Sequence, residues 1–170
     1  MDLLDKFTIN LNKNNKGYTF IELILVVAII SILISFIIIN LSTSKERASM
    51  SSQVTTIIAD LKTQQLKSMV GDTSGTGTIS TYGIHFYTDH YDLFHGTYTQ
   101  GNSSNFTVQL DTSLNLSSIT LPSSEIDFNN GDGSVTNFVA GQNTITVQDT
   151  TSGNQKTITI NQWGTILSVN

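Results

Sequence analysis

From Phe20 to Ile39 every position is apolar except Glu22, Ser31 and Ser35. As a helix rising 1.5 Å per residue, this stretch spans about 30 Å, the thickness of a hydrocarbon core. A buried helix of a soluble domain rarely carries so long a run, so the pattern predicts a membrane span. After Ala48 the pattern changes: apolar residues fall at Met50, Val54, Ile57, Ile58, Leu61, Leu66 and Met69, mostly three or four apart. That stripe predicts an amphipathic helix continuing from the span and packing on the rest of the fold. No Gly or Pro interrupts Ala48–Val70, and Gly71-Asp72-Thr73-Ser74-Gly75 supplies the stop. Taken as one helix, Tyr18–Val70 would extend about 80 Å. Asn40–Ser44, made of poor helix formers, marks the place for a bend.

Beyond Gly71 the period shortens to two. Tyr82–Thr88 and Tyr91–His95 flank Asp89-His90, read as a two-residue hairpin turn. Thr107–Leu110 and Ser124–Phe128 are further strand candidates, the second followed by the turn-rich Asn129-Asn130-Gly131-Asp132-Gly133. Thr144–Val147 pairs with Thr157–Ile160 around Ser152-Gly153-Asn154, and Trp163-Gly164 turns the chain into Ile166–Val169. Alternating Thr and Ile place one apolar face on a core and one polar face in water. The fold class expected is α+β: a long N-terminal transmembrane and amphipathic helix packed on a C-terminal antiparallel β-sheet head.

Charge is segregated along the chain. Residues 1–17 sum to +1, residues 40–70 to +2, and residues 71–170, with Lys156 against eight acids, to −7. The basic flank before the span places that end in the cytoplasm and the C-terminal bulk outside. So acidic a head is poorly suited to a nonspecific hold on nucleic acid, which needs Lys and Arg. With no cysteine, neither a disulfide framework nor a thiolate metal site is possible, and the head must hold by packing and hydrogen bonding.

The single charge in the span draws the eye back to its start. A carboxylate inside hydrocarbon costs roughly 2.5–3.5 kcal/mol or more, so Glu22 needs a partner. A secretory signal fails as an explanation, since the apolar run is too long and Asn40–Lys45 has no Ala-x-Ala site. Lys16-Gly17-Tyr18-Thr19-Phe20-Ile21-Glu22-Leu23 instead resembles the class III signal of type IV prepilins and type II secretion pseudopilins. The resemblance implies cleavage of the Gly17–Tyr18 bond by the prepilin peptidase and methylation of the new Tyr18 amine. It also implies that Glu22 serves subunit assembly, its carboxylate neutralising the Tyr18 cation of a neighbour and setting the axial register. A pairing of Tyr18 N with Glu22 inside one subunit is the simpler alternative. The 17-residue leader with two acids is longer than many in that family, and Ser31 and Ile39 stand where many pilins place Gly and Pro.

The domains read in this way are a cleaved leader (1–17), the transmembrane and assembly half of the helix (18–39), its amphipathic half (40–70) and an antiparallel β head (71–170). Within the head, Ile126, Phe128, Gly133, Gly164 and Ile166 loosely resemble the pattern of H-type minor pseudopilins, tilting the reading toward a minor subunit. The implied partners are the prepilin peptidase, other pilin or pseudopilin subunits, the inner-membrane assembly platform and the lipid bilayer. The implied location is the cytoplasmic membrane, then a pilus or pseudopilus at the cell surface or in the periplasm. The alternative from another class is a non-assembling, single-span membrane-anchored binding protein with an extracellular β-rich head.

Other candidate chemistry is sparse. Asp127–Gly133 clusters oxygen ligands beside glycine, so calcium at Asp127 and Asp132 competes with an ordinary turn, which Asn-Gly and Asp-Gly favour. No other cofactor is implied. His85, His90 and His95 are spaced by five and need not converge. No nucleophile elbow or phosphate-binding glycine loop is present, so no catalytic residues and no enzymatic activity are expected.

Overall fold

The computed structural model describes residues 17–170, with the side chains of residues 36–44 and 46 outside the description. The expectations placed on the leader before Gly17 therefore lie outside the described residues. One helix, α1, runs Phe20–Val70, and helix continues through Asn40–Ser44. The chain divides by its contacts into two units, Met1–Ser42 and Thr43–Asn170. In the first, the described side chains of Gly17–Ser35 are all exposed. Among the described residues no helix is long and apolar enough to cross a membrane, and the last residues of the apolar run, 36–39, fall outside the described side chains.

The second unit sets the remainder of α1 against two antiparallel four-stranded sheets, where the sequence suggested one. The first sheet has the order β3-β2-β1-β5, built from β1 (Tyr82–Phe86), β2 (His90–His95), β3 (Phe106–Gln109) and β5 (Glu125–Phe128). The second has the order β4-β6-β7-β8, from β4 (Leu114–Ile119), β6 (Thr144–Asp149), β7 (Gln155–Ile160) and β8 (Ile166–Val169). The Thr–Ile alternation places Ile145, Val147, Ile158 and Ile160 in the core as expected, but its polar face is not open to water: Thr146 is buried and bonds to the half-buried Thr157 at 3.0 Å.

The β1–β2 turn falls one residue earlier than the sequence suggested. Tyr87 N–H donates to His90 C=O at 2.9 Å, leaving Thr88-Asp89 as the turn and His90 as the first residue of β2. The carbonyls of that turn are then taken up by Leu116 N–H on Thr88 and Leu110 N–H on Asp89. These bonds tie the start of the second sheet to the first.

One core joins α1 to both sheets, with Met50, Val54, Ile57 and Leu61 meeting Ile84, Phe86, Phe128, Leu116, Ile145 and Ile158. Past Leu61 the expected stripe needs correction. Leu66 and Met69 are 59% and 45% exposed, while Gln64 and Ser68, 3% and 0% exposed, take the buried positions. The 4-3-4-3-4 spacing of residues 50, 54, 57, 61, 64 and 68 explains this, since one helical face continues through Gln64 and Ser68. Both polar side chains face strand carbonyls that need donors. Gln64 Nε2 donates to Gly83 C=O at 3.1 Å, and Ser68 Oγ to Phe128 C=O at 2.6 Å. Next to them, Gln65 Nε2 donates to both Gly133 C=O and Trp163 C=O at 2.8 Å, tying two loops to the helix.

Gly71 ends α1 as predicted. Its φ of +67° admits a left-handed cap, with Gly71 N–H on Ser68 C=O and Asp72 N–H on Lys67 C=O, the paired bonds of a Schellman motif. Gly83, in β1, answers a different need. A Cβ there would lie 2.5 Å from Ile126 C=O and against the Phe94 ring, which packs directly over the bare backbone.

Candidate processing and assembly site

Gly17, Tyr18 and Thr19 precede the helix in irregular, exposed backbone. The Gly17–Tyr18 bond is therefore accessible, and the bulky Tyr18 side chain is 89% exposed. Helical bonding starts with Leu23 N–H on Thr19 C=O at 3.2 Å, making Thr19 the N-cap. Glu22, three residues on, completes a capping box. Its Oε2 accepts both Thr19 N–H and Thr19 Oγ–H at 3.0 Å, and Glu22 N–H lies 3.3 Å from Thr19 Oγ1. Threonine-x-x-glutamate is a cap signal legible in the sequence, and here it makes the single charge of the apolar run part of the helix start. Glu22 caps α1 through one oxygen, while Oε1 has no bond among the described residues. Among the described residues its partner is Thr19.

The other sequence candidates separate. Asp132 Oδ1 accepts Ser134 N–H and Oγ–H at 3.0 and 2.9 Å, and Gly133 N–H closes on Asn129 C=O, so Asn129–Ser134 is a self-bonded turn. Asp127 lies apart from that turn, on β5. Among the described residues no group of three or more His, Cys, Asp or Glu side chains is placed to hold a metal ion. His85 and His90 face outward from the first sheet, while His95 pairs with Tyr82 at the end of its inner face.

That outward face carries a layer the sequence did not reveal. Tyr98, from the loop after β2, stacks flat on His85 with ring centres 4.2 Å apart. Tyr98 gives its proton to Asp92 Oδ2 at 2.7 Å, so Tyr87 donates to Tyr98 at 2.8 Å. Thr107 Oγ donates to Asp92 Oδ1, and Glu125 meets His85 Nδ1 at 3.3 Å. Burial, then the bonds to Tyr87 and Asp92, push the Tyr98 phenol far up from its ordinary value. Asp127 is the exception in this layer: its Oδ1 is buried without a partner. Burial, with the Glu125 carboxylate adding to it, pushes its carboxyl up to about 6.

Two features stand together: a capped helix opening just after the exposed Gly17–Tyr18 pair, and an antiparallel head packed on the later part of that helix. Residues 12–38 match the family described as the prokaryotic N-terminal methylation motif, which is the class III prepilin signal. The match brackets Gly17, Tyr18 and Glu22, and the order of helix and sheets is a pilin-like α+β arrangement. No curated protein and no solved structure matches the chain.

Proposed function

We propose that the chain is the precursor of a structural subunit, of the minor kind, of a type IV pilus or type II secretion pseudopilus. The prepilin peptidase cuts between Gly17 and Tyr18, and the new Tyr18 amine is methylated. Residues 18–39 anchor the subunit in the cytoplasmic membrane with the head outside, and later line the filament. Residues 40–70 carry the head, residues 71–170, through the stripe from Met50 to Ser68. The work is mechanical and has no catalytic step. Its partners are the peptidase, neighbouring subunits, the assembly platform and the bilayer. The observation that carries this reading is the methylation motif at residues 12–38, with its Gly–Tyr bond one residue ahead of the helix cap. An exposed, irregular segment is what a peptidase requires, and a cap just beyond it lets α1 survive the cut.

In the filament Glu22 turns its second carboxylate oxygen, Oε1, toward the Tyr18 amine of a neighbour. Coexpression with the prepilin peptidase tests the reading by intact mass. Loss of residues 1–17 and gain of a methyl group is expected. An uncut chain would overturn it and leave a non-assembling, single-span binding protein. Glu22→Ala should be cut normally yet enter filaments far less, because truncating one member of a buried charge pair costs about 2–5 kcal/mol. Normal incorporation would refute the register role.

A further inference from the structure

The turn after β5 carries chemistry of another kind. Asn130 is the one asparagine of the chain with glycine after it. The backbone nitrogen that follows an asparagine can attack its side-chain carbonyl carbon, and glycine leaves that approach uncrowded because it has no Cβ. Asn130 and Gly131 are both exposed, and a Cβ placed on Gly131 would meet nothing within 4 Å. Gly131 N–H bonds to Ser68 C=O at 3.3 Å, longer than the usual range. That carbonyl also takes Gly71 N–H at 3.2 Å, so the Gly131 nitrogen can leave it without orphaning the acceptor or opening a strand pair.

Other asparagines of the head are placed differently. Asn105, Asn129, Asn137, Asn143 and Asn154 each precede a residue with a side chain, and each donates its amide N–H to a neighbouring oxygen. The Asn130 side chain instead meets Ser68 Oγ at 3.2 Å. Ser68 has a single hydroxyl proton and gives it to Phe128 C=O at 2.6 Å. The longer contact therefore draws its proton from the Asn130 amide group.

We infer that the Asn130–Gly131 pair is a self-modifying site that deamidates in the folded chain. Gly131 N gives up its proton and bonds to Asn130 Cγ, while the Cγ–Nδ2 bond breaks and the amide nitrogen leaves as ammonia with that proton. Water then opens the five-membered imide at either of its two carbonyls, leaving aspartate or isoaspartate at this position. The net change is amide plus water to acid plus ammonia, with nothing oxidised or reduced. The new carboxylate has no proton to offer Ser68 Oγ, and it stands beside the last turn of α1, whose carbonyl end disfavours negative charge. Conversion therefore loosens the turn from the helix end. The step needs water alone and is independent of whether the chain assembles.

Peptide mapping by mass spectrometry tests this, on the full chain held in detergent and mildly alkaline buffer. The acid should accumulate at Asn130 ahead of every other asparagine in the head, as a mixture of aspartate and isoaspartate that electron-transfer fragmentation separates. Conversion in the folded chain should fall no more than about a hundredfold below its rate in urea, because releasing Gly131 N needs only local opening. A larger gap, approaching the factor of about a thousand or more that separates folded from unfolded chains, would overturn the inference, since the pair would then react only on global unfolding. So would an Asn130 that stays an amide, or another head asparagine that converts first. Asn130→Asp should lower the exchange protection of the Gly131 amide about two- to fivefold. Unchanged protection would refute the loosening.

Discussion

Replacing Asp127 with Asn should stabilise the head at neutral pH and do nothing in acid. Asp127 shares the outer layer of the first sheet with Glu125 on its own strand, His85 on β1, Asp92 on β2 and Tyr98 on the covering loop. Its Oδ1 has no donor, and its carboxyl sits at about 6 rather than 3.8. The folded state thus keeps a proton that the unfolded chain releases. Stability is fully present below about pH 4, falls as pH rises toward 6, and stays reduced above that. Raising the carboxyl from 3.8 to about 6 corresponds to about 3 kcal/mol at 1.36 kcal/mol per pKa unit. Because the group keeps some contact with water, screening lowers this to about 1–2 kcal/mol. The introduced amide imitates the protonated acid at every pH. Urea unfolding of the full chain in detergent, followed by the fluorescence of Trp163, should show a gain of about 1–2 kcal/mol near pH 7.5 and none near pH 4. An equal effect at both pH values, or a loss at pH 7.5, would refute the reasoning.

Three further substitutions probe the rest of the scaffold. Thr19→Ala removes the cap that holds Glu22, costing about 1 kcal/mol, so amide exchange at Glu22 and Leu23 should quicken roughly fivefold. Ser68→Ala leaves the Phe128 carbonyl without its 2.6 Å donor and should lower urea stability by about 1–3 kcal/mol. Gly83→Ala forces a methyl group to within 2.5 Å of the Ile126 carbonyl, and overpacking should cost about 1–3 kcal/mol or more by the same measurement.

Much of this was legible before any coordinates. Periods of 3.6 and 2 marked α1 and most strands, and Gly71 marked the helix end, because those patterns follow directly from backbone geometry. Gln64 and Ser68 were missed because a hydrophobic count scores them as surface, while their value lies in donating to carbonyls far along the chain. Strand β4 was missed because Leu114–Ile119 carries two serines near its end and a bulge breaks its register between Leu116 and Ser118. The Tyr98 layer depends on a loop brought back over the first sheet, which no local pattern reports. At the signal the residues could be read but the geometry could not: the sequence pointed to Glu22, and the structure added Thr19 as its holder.

Gln65 carries a consequence for how the head is made. Its amide grips Trp163, 98 positions later, as well as Gly133. Ile158 and Ile160, close to the C-terminus, complete the same core that Met50 begins. Contacts so distant in sequence form slowly, since the intervening chain must be gathered before they reward it. With the head outside the membrane, as proposed, the part of α1 that emerges first waits for the final strands before its apolar face is covered. Export must then finish before the head can close, and a chain cut short near its end would display that bare face to every quality-control protease it meets.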